Sequence, residues 1–253
     1  MRRLSLIVSP LLVALGLATG SAAAQGPAAA DPPPLQAAVE SCTTSALPAG
    51  RSVAFVGSMP AIGGDERMRM RFELERLRLR DAQWRRLRGV PGFGSWETAQ
   101  RGRAGFVFHK RVEALLVPAS YRAVVRFRWE DRSGRVVRRA TRRTAACAQP
   151  DLRPDLVPGP LTGAFDARPG LAVYALVVRN DGRSASGPFR VRVGGGSVTV
   201  AGIAAQQQRT VLVVSPICLA GTTTLAEVDA DRQVDEARER GNVASRRCPL
   251  WGA

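Results

Sequence analysis

The sequence predicts an all-β protein: two immunoglobulin-like β-sandwich domains in tandem after a cleaved signal peptide. Three observations carry that expectation. Apolar and charged residues alternate with period two in residues 67–74, 121–129 and 189–193, the pattern of strands with one buried face. Gly-, Asp- and Pro-rich turns punctuate these runs at short intervals, as in a sandwich. The four cysteines, Cys42, Cys147, Cys218 and Cys248, are spread over both halves of the chain.

Residues 1–24 read as a secretory signal peptide. Arg2 and Arg3 precede an apolar core, and Ala22, Ala23 and Ala24 form a small-residue cleavage site. The core is too short, and too interrupted by Pro10, for a membrane span of about 20 residues. The expected mature chain is secreted or extracytoplasmic, with no transmembrane anchor. In such a compartment an even cysteine count favours disulfides. Three connectivities exist on paper; the positions suggest one bridge per half, Cys42–Cys147 and Cys218–Cys248. Metal ligation is the weaker alternative, because there is no CxxC spacing and His109 is the only histidine.

Residues 25–35 form a Pro/Ala-rich spacer. A basic β-sandwich-like domain is expected over 36–148, a Pro-rich linker over 149–160, and a second sandwich over 161–253. Charge supports the division: residues 36–148 hold 23 Arg and Lys against 10 Asp and Glu, residues 149–253 hold 12 against 10. The net charge of +16 is almost wholly arginine, Lys110 being the one lysine. Such a chain attracts polyanions and resists self-association.

In the first half, residues 51–59 read as a strand and 67–74 as the next. The apolar phase then slips to Leu77 and Leu79, which suggests a β-bulge near Glu75 and Arg76. A helix over 73–87 is the alternative. Residues 89–94 (GVPGFG) are a turn that lacks the ending of a phosphate loop. Residues 106–108 and 112–117 read as two strands, and 121–129 as another. Asp131–Gly134 is a hairpin turn, and residues 135–146 return to Cys147. Tyr121, opening a late strand, resembles the tyrosine corner of immunoglobulin-like domains. In the second half, strands are expected at 171–179, 189–193, 197–200, 210–214 and 222–228.

The second half resembles the CARDB family, the cell-adhesion-related domain found in bacteria. The residues that carry the likeness are Val177, Asn180, Gly182, Ala185, Phe189 and Val191, then Val228, Asp229, Val234, Glu236, Glu239 and Asn242 in the closing run. Two positions depart from the family pattern: Gly241 replaces an asparagine, and Gln206 stands where the family often has glycine. The resemblance implies a seven-stranded immunoglobulin-like sandwich and a non-catalytic adhesion or presentation role.

Two binding candidates follow. The acidic run Asp229, Asp231, Asp235, Glu236, Glu239 raises calcium, since hard cations take several carboxylate oxygens. It lacks EF-hand spacing, so turn capping and pairing with Arg232, Arg238 and Arg240 compete. The arginine ladders Arg67, Arg69, Arg71 and Arg138, Arg139, Arg142, Arg143, with Arg76, Arg78, Arg80, Arg85, Arg86 and Arg88 between them, raise polyanion binding. The rival is a solvated face in an arginine-biased chain. Trp84, Trp96, Trp129 and Trp251 could stack on sugars, but Trp129 and Trp84 sit at core phase.

No serine-nucleophile or HExxH motif occurs, and no specific nucleic-acid motif. A hydrolase pairing Glu113 or Glu130 with another carboxylate is the remote alternative. The expected function is an exported, non-catalytic binding or adhesion module of the cell envelope or extracellular space. Its basic first domain would contact an envelope or extracellular polymer or protein. The rival from another class is a purely structural envelope spacer.

Overall fold

Met68, Met70, Phe72 and Leu74 are buried while Arg67, Arg69 and Arg71 between them are not, so the period-two expectation holds along this strand. In the computed structural model, which describes residues 31–78, 82–166 and 168–248, almost every element is a strand. The expected signal peptide, most of the spacer, Leu79, Arg80 and Trp251 lie outside the described residues.

The first half contains β1 (Gln36–Thr43), β2 (Ser52–Pro60), β3 (Arg67–Arg78), β4 (Trp84–Arg86), β5 (Glu97–Thr98), β6 (Gly105–Val112), β7 (Ala119–Glu130), β8 (Val136–Arg143) and β9 (Cys147–Gln149). One sheet runs β1-β2-β6; the other runs β4-β3-β7-β8, with β5 added to β3 and β9 to β7. Between the sheets lie Phe55, Phe72, Tyr121, Phe127 and Trp129. Trp129 is fully buried, and its indole N–H donates to the Pro60 carbonyl at 2.8 Å, which satisfies its one polar atom.

The second half contains β10 (Leu156–Phe165), β11 (Leu171–Asn180), β12 (Phe189–Val193), β13 (Gly196–Val200), β14 (Gln208–Pro216), β15 (Thr223–Val228) and β16 (Val243–Arg247). Its sheets are β10-β11-β14 and β13-β12-β15-β16. Tyr174, Leu176, Phe189, Val191, Val213 and Val228 fill its separate core. Setting aside the short β5 and β9, the two halves share one connectivity. In each, the first, second and fifth strands make one sheet, and the fourth, third, sixth and seventh make the other. That is an immunoglobulin-like arrangement, repeated.

Both disulfides form as expected. Cys42–Cys147 ties the first strand of the first half to its last, and Cys218–Cys248 closes the end of the second. The tyrosine corner is also present: the Tyr121 hydroxyl donates to the Leu116 carbonyl at 2.9 Å.

Four local expectations are corrected. No bulge interrupts β3 at Glu75 and Arg76; its pairing with β7 is continuous from Arg67 to Arg78. Leu77 instead points to the outer face, where it is half-buried opposite Trp84. The helical alternative for residues 73–87 does not form. The strand expected over residues 112–117 does not form: Val112 ends β6 and residues 113–117 make the corner, where Ala114 has φ 51°, Leu115 is buried, and Leu116 receives Tyr121. The expected linker is largely structured, with Gln149 in β9 and residues 156–160 already in β10.

A candidate basic interface and an acidic loop

On the outer face of the β4-β3-β7-β8 sheet, the β3 side chains of odd number meet those of β7 in register. Arg69 faces Arg128 and Arg71 faces Arg126. Like charges directly opposite repel, so this arrangement needs compensation. It comes from two glutamates on the same face. Glu73, 5% exposed, accepts from Arg71 at 2.6 Å and from Arg126 at 3.2 Å, and forms an ion pair with Arg86 at 3.2 Å. Glu130 forms an ion pair with Arg128 at 2.8 Å and accepts from Arg69 at 3.3 Å.

Trp96 completes the lattice. The guanidiniums of Arg128, Arg71 and Arg69 lie 4.3, 5.0 and 5.8 Å from its ring centroid. Each attraction is worth about 0.5–2 kcal/mol. The Nε atoms of Arg69 and Arg71 are buried without a hydrogen-bond acceptor, and that of Arg128 meets Glu130 only as an ion pair. Arg122 stacks at 4.0 Å over Trp84, which is half-buried on this outer face rather than in the core. Arg69 and Arg71 are therefore fixtures of the sheet. Turning either outward to a ligand would break a carboxylate contact and a stack together.

The β8 arginines differ. The run alternates, so Arg139 and Arg143 share the outer face with Arg128, whereas Arg138 and Arg142 take the opposite side. They do not form the single ladder the sequence suggested. Arg138 lies 5.2 Å from the Trp129 ring centroid, and Arg142 donates to the Thr141 carbonyl. Arg67, Arg139 and Arg143 have no ion pair among the described residues, and all four β8 arginines are exposed. The four β8 arginines thus stand exposed together along one strand.

The acidic run does not converge on a cation. Asp229 (φ 50°) accepts from the backbone N–H groups of Gln233 and Val234, both at 3.0 Å. Asp231 pairs with Arg190 at 2.9 Å. Asp235 takes Arg153 at 2.8 Å and Arg51, from the first half, at 3.4 Å. Glu239 accepts the backbone N–H of Glu236 at 2.9 Å. Among the described residues no set of acidic, histidine or cysteine side chains is arranged to hold a metal ion. Turn capping and arginine pairing, the competing reading of this run, occupy these oxygens.

Glu236 is the exception in environment. It is fully buried, accepting from the Leu156 N–H at 2.5 Å and from Asn242 Nδ2 at 2.7 Å. Burial pushes its carboxyl up to about 7, the N–H contacts opposing and the nearby Asp229 and Glu239 charges adding to the rise. Beside it, Asn180 Oδ1 accepts from Asp155 N–H and Gly182 N–H, both at 3.1 Å, while its amide donates to the Ser184 and Ile203 carbonyls. Arg238 binds Asp155 at 2.5 Å. Gly182 must be glycine because a Cβ there would lie 2.4 Å from the Pro154 backbone.

The motif residues thus pin the chain at 153–156, where it enters the second sandwich. Phe189, Val191, Val228 and Val234 are core residues. At the departures from the family pattern, Gln206 adopts φ 60° and holds it by donating to the Asp181 and Gly182 carbonyls at 2.7 and 2.9 Å. Gly241 adopts φ 106°.

Sequence reasoning missed Glu73, Glu130 and Trp96 as partners of the arginines. A signal existed for Glu73, which falls at the same alternation phase as Arg69 and Arg71. None existed for Trp96, which comes from a loop. Of the two candidate hydrolytic carboxylates, Glu130 is held by arginines and Glu113, directly after β6, pairs with Arg111 at 2.8 Å.

No family model matches the chain, and no curated protein matches it. Solved structures do. A class 5 fimbriae chaperone is 9% identical over 85% of this chain and 100% of its own, with a TM-score of 0.27. A chain from a chaperone–tip adhesin complex of CFA/I fimbriae is 8% identical over 78% of this chain and 95% of its own, also at 0.27. At that level of superposition neither bears on what this chain does. Among the described residues no helix is long and apolar enough to cross a membrane.

Proposed function

We propose that the protein is an exported, non-catalytic binding module, in which the arginines of β8 meet an anionic polymer outside the cytoplasm. The carrying observation is the contrast within the basic sheet. Arg69 and Arg71 are consumed by Glu73, Glu130 and Trp96, whereas Arg139 and Arg143 stand exposed without a counter-charge among the described residues. Uncompensated surface charge of one sign raises the local concentration of an opposite polymer. Two disulfides support an oxidising compartment, and hence export. The second half, CARDB-like in this reading, acts as a presenting module, because its motif residues are spent on architecture.

The test is binding of the full oxidised chain to isolated envelope material and to a carboxylate polysaccharide, across a salt series. Binding that falls steeply with salt, and is lost in the double variant Arg139→Gln/Arg143→Gln, supports the proposal. Binding in neither condition leaves a structural spacer as the function. Adding calcium is expected to change nothing, given how the acidic oxygens are occupied.

A further inference from the structure

We infer that the open edge of β8 pairs with an extended acidic polypeptide, which joins the β4-β3-β7-β8 sheet as one more strand. The inference rests on the basic-edge reading above and names the class of polymer. Among the described residues, β8 ends the sheet order and pairs only with β7. Its far side therefore presents unpaired backbone N–H and C=O groups, a template for another strand.

Edge strands usually carry a guard against such pairing: a proline, a bulge, a very short length or charge. β8 has eight residues, no proline, and a register shift only at its start, opposite Trp129 and Glu130. Beyond that irregularity at its start, charge is the guard along β8, and that guard is selective. Arg139 and Arg143 project to one side of the sheet and Arg138 and Arg142 to the other. A second copy pairing through the same strand would set guanidiniums against guanidiniums on both faces, which is destabilising. A strand carrying carboxylates on both of its faces would meet them instead. A polysaccharide could answer the charges but offers no backbone to answer the edge.

The test compares three probes against the full oxidised chain at low salt. They are a short Glu/Thr peptide, the same peptide with alternate backbone nitrogens methylated, and polygalacturonate. Methylation keeps the charge and removes strand hydrogen bonds, each worth about 1 kcal/mol, so binding is expected to weaken by at least about tenfold. Amide exchange should slow at residues 136–143 with the unmodified peptide alone. If all three probes bind alike and the β8 amides stay unprotected, edge pairing is wrong while the polyanion reading stands. If none binds, both fall.

Discussion

The carboxylate of Glu236 and the backbone N–H of Leu156 meet at 2.5 Å across 80 residues of chain, inside the second sandwich. The contact fixes where β10 begins. It also places an acid where water does not reach, and that has a measurable signature.

Burial raises Glu236 to about 7 from its ordinary 4.5. Between those values the folded state holds a proton that the unfolded chain has released. Stability from this group is therefore highest below about pH 4.5, falls as pH rises towards about 7, and is flat above, with a slope of at most about 1.4 kcal/mol per pH unit. Urea unfolding of Glu236→Gln should lack this slope. Parallel pH profiles for the two proteins would refute the assignment.

Tyr121→Phe removes the hydroxyl that donates to Leu116. The carbonyl is left without that donor, so the expected loss is about 1–2 kcal/mol, read as a lower urea midpoint at unchanged slope. An unaffected midpoint would mean that the corner is held by packing alone.

Trp96→Ala takes the indole from beneath Arg69, Arg71 and Arg128. Destabilisation of about 1–3 kcal/mol is expected, from lost stacking and from repulsion no longer offset. Raising the salt should recover part of it by screening the guanidiniums. A variant as stable as wild type at every ionic strength would show that the glutamates suffice.

Replacing Cys42 and Cys147 together by alanine opens a loop spanning 105 residues, against 30 for Cys218 and Cys248. Loop-closure entropy predicts losses of about 4.7 and about 3.6 kcal/mol. Calorimetry of the two double variants checks the order. A larger loss from the shorter loop would point to strain or residual structure rather than chain entropy.

The sheets were legible in the sequence because half-buried strands alternate, as Met68 to Leu74 and Phe189 to Val193 do throughout and Tyr121 to Trp129 does apart from Val124. β10 was not, since Pro158, Gly159 and Pro160 read as punctuation; they sit instead at an irregularity in its pairing with β11, between Pro158 and Leu161. β16 (Val243–Arg247) was missed for want of apolar residues, because half of it faces solvent. Residues 112–117 misled in the opposite sense: their apolar side chains serve a corner. The arginines announced a basic surface, but nothing local could say which of them were already paired. That depended on Glu73 and Glu130 arriving on the same face, and on a tryptophan from a loop.

The placement of the two bridges also decides how the chain would carry tension. A pull entering near Cys42 and leaving near Cys147 passes straight through the sulfur link, so the strands between them bear none of it. In the second half the link spans only Cys218 to Cys248, leaving β10 and its pairing with β11 in series with the load. Stretched from end to end, the protein would yield at β10 first, while the basic sheet kept its shape.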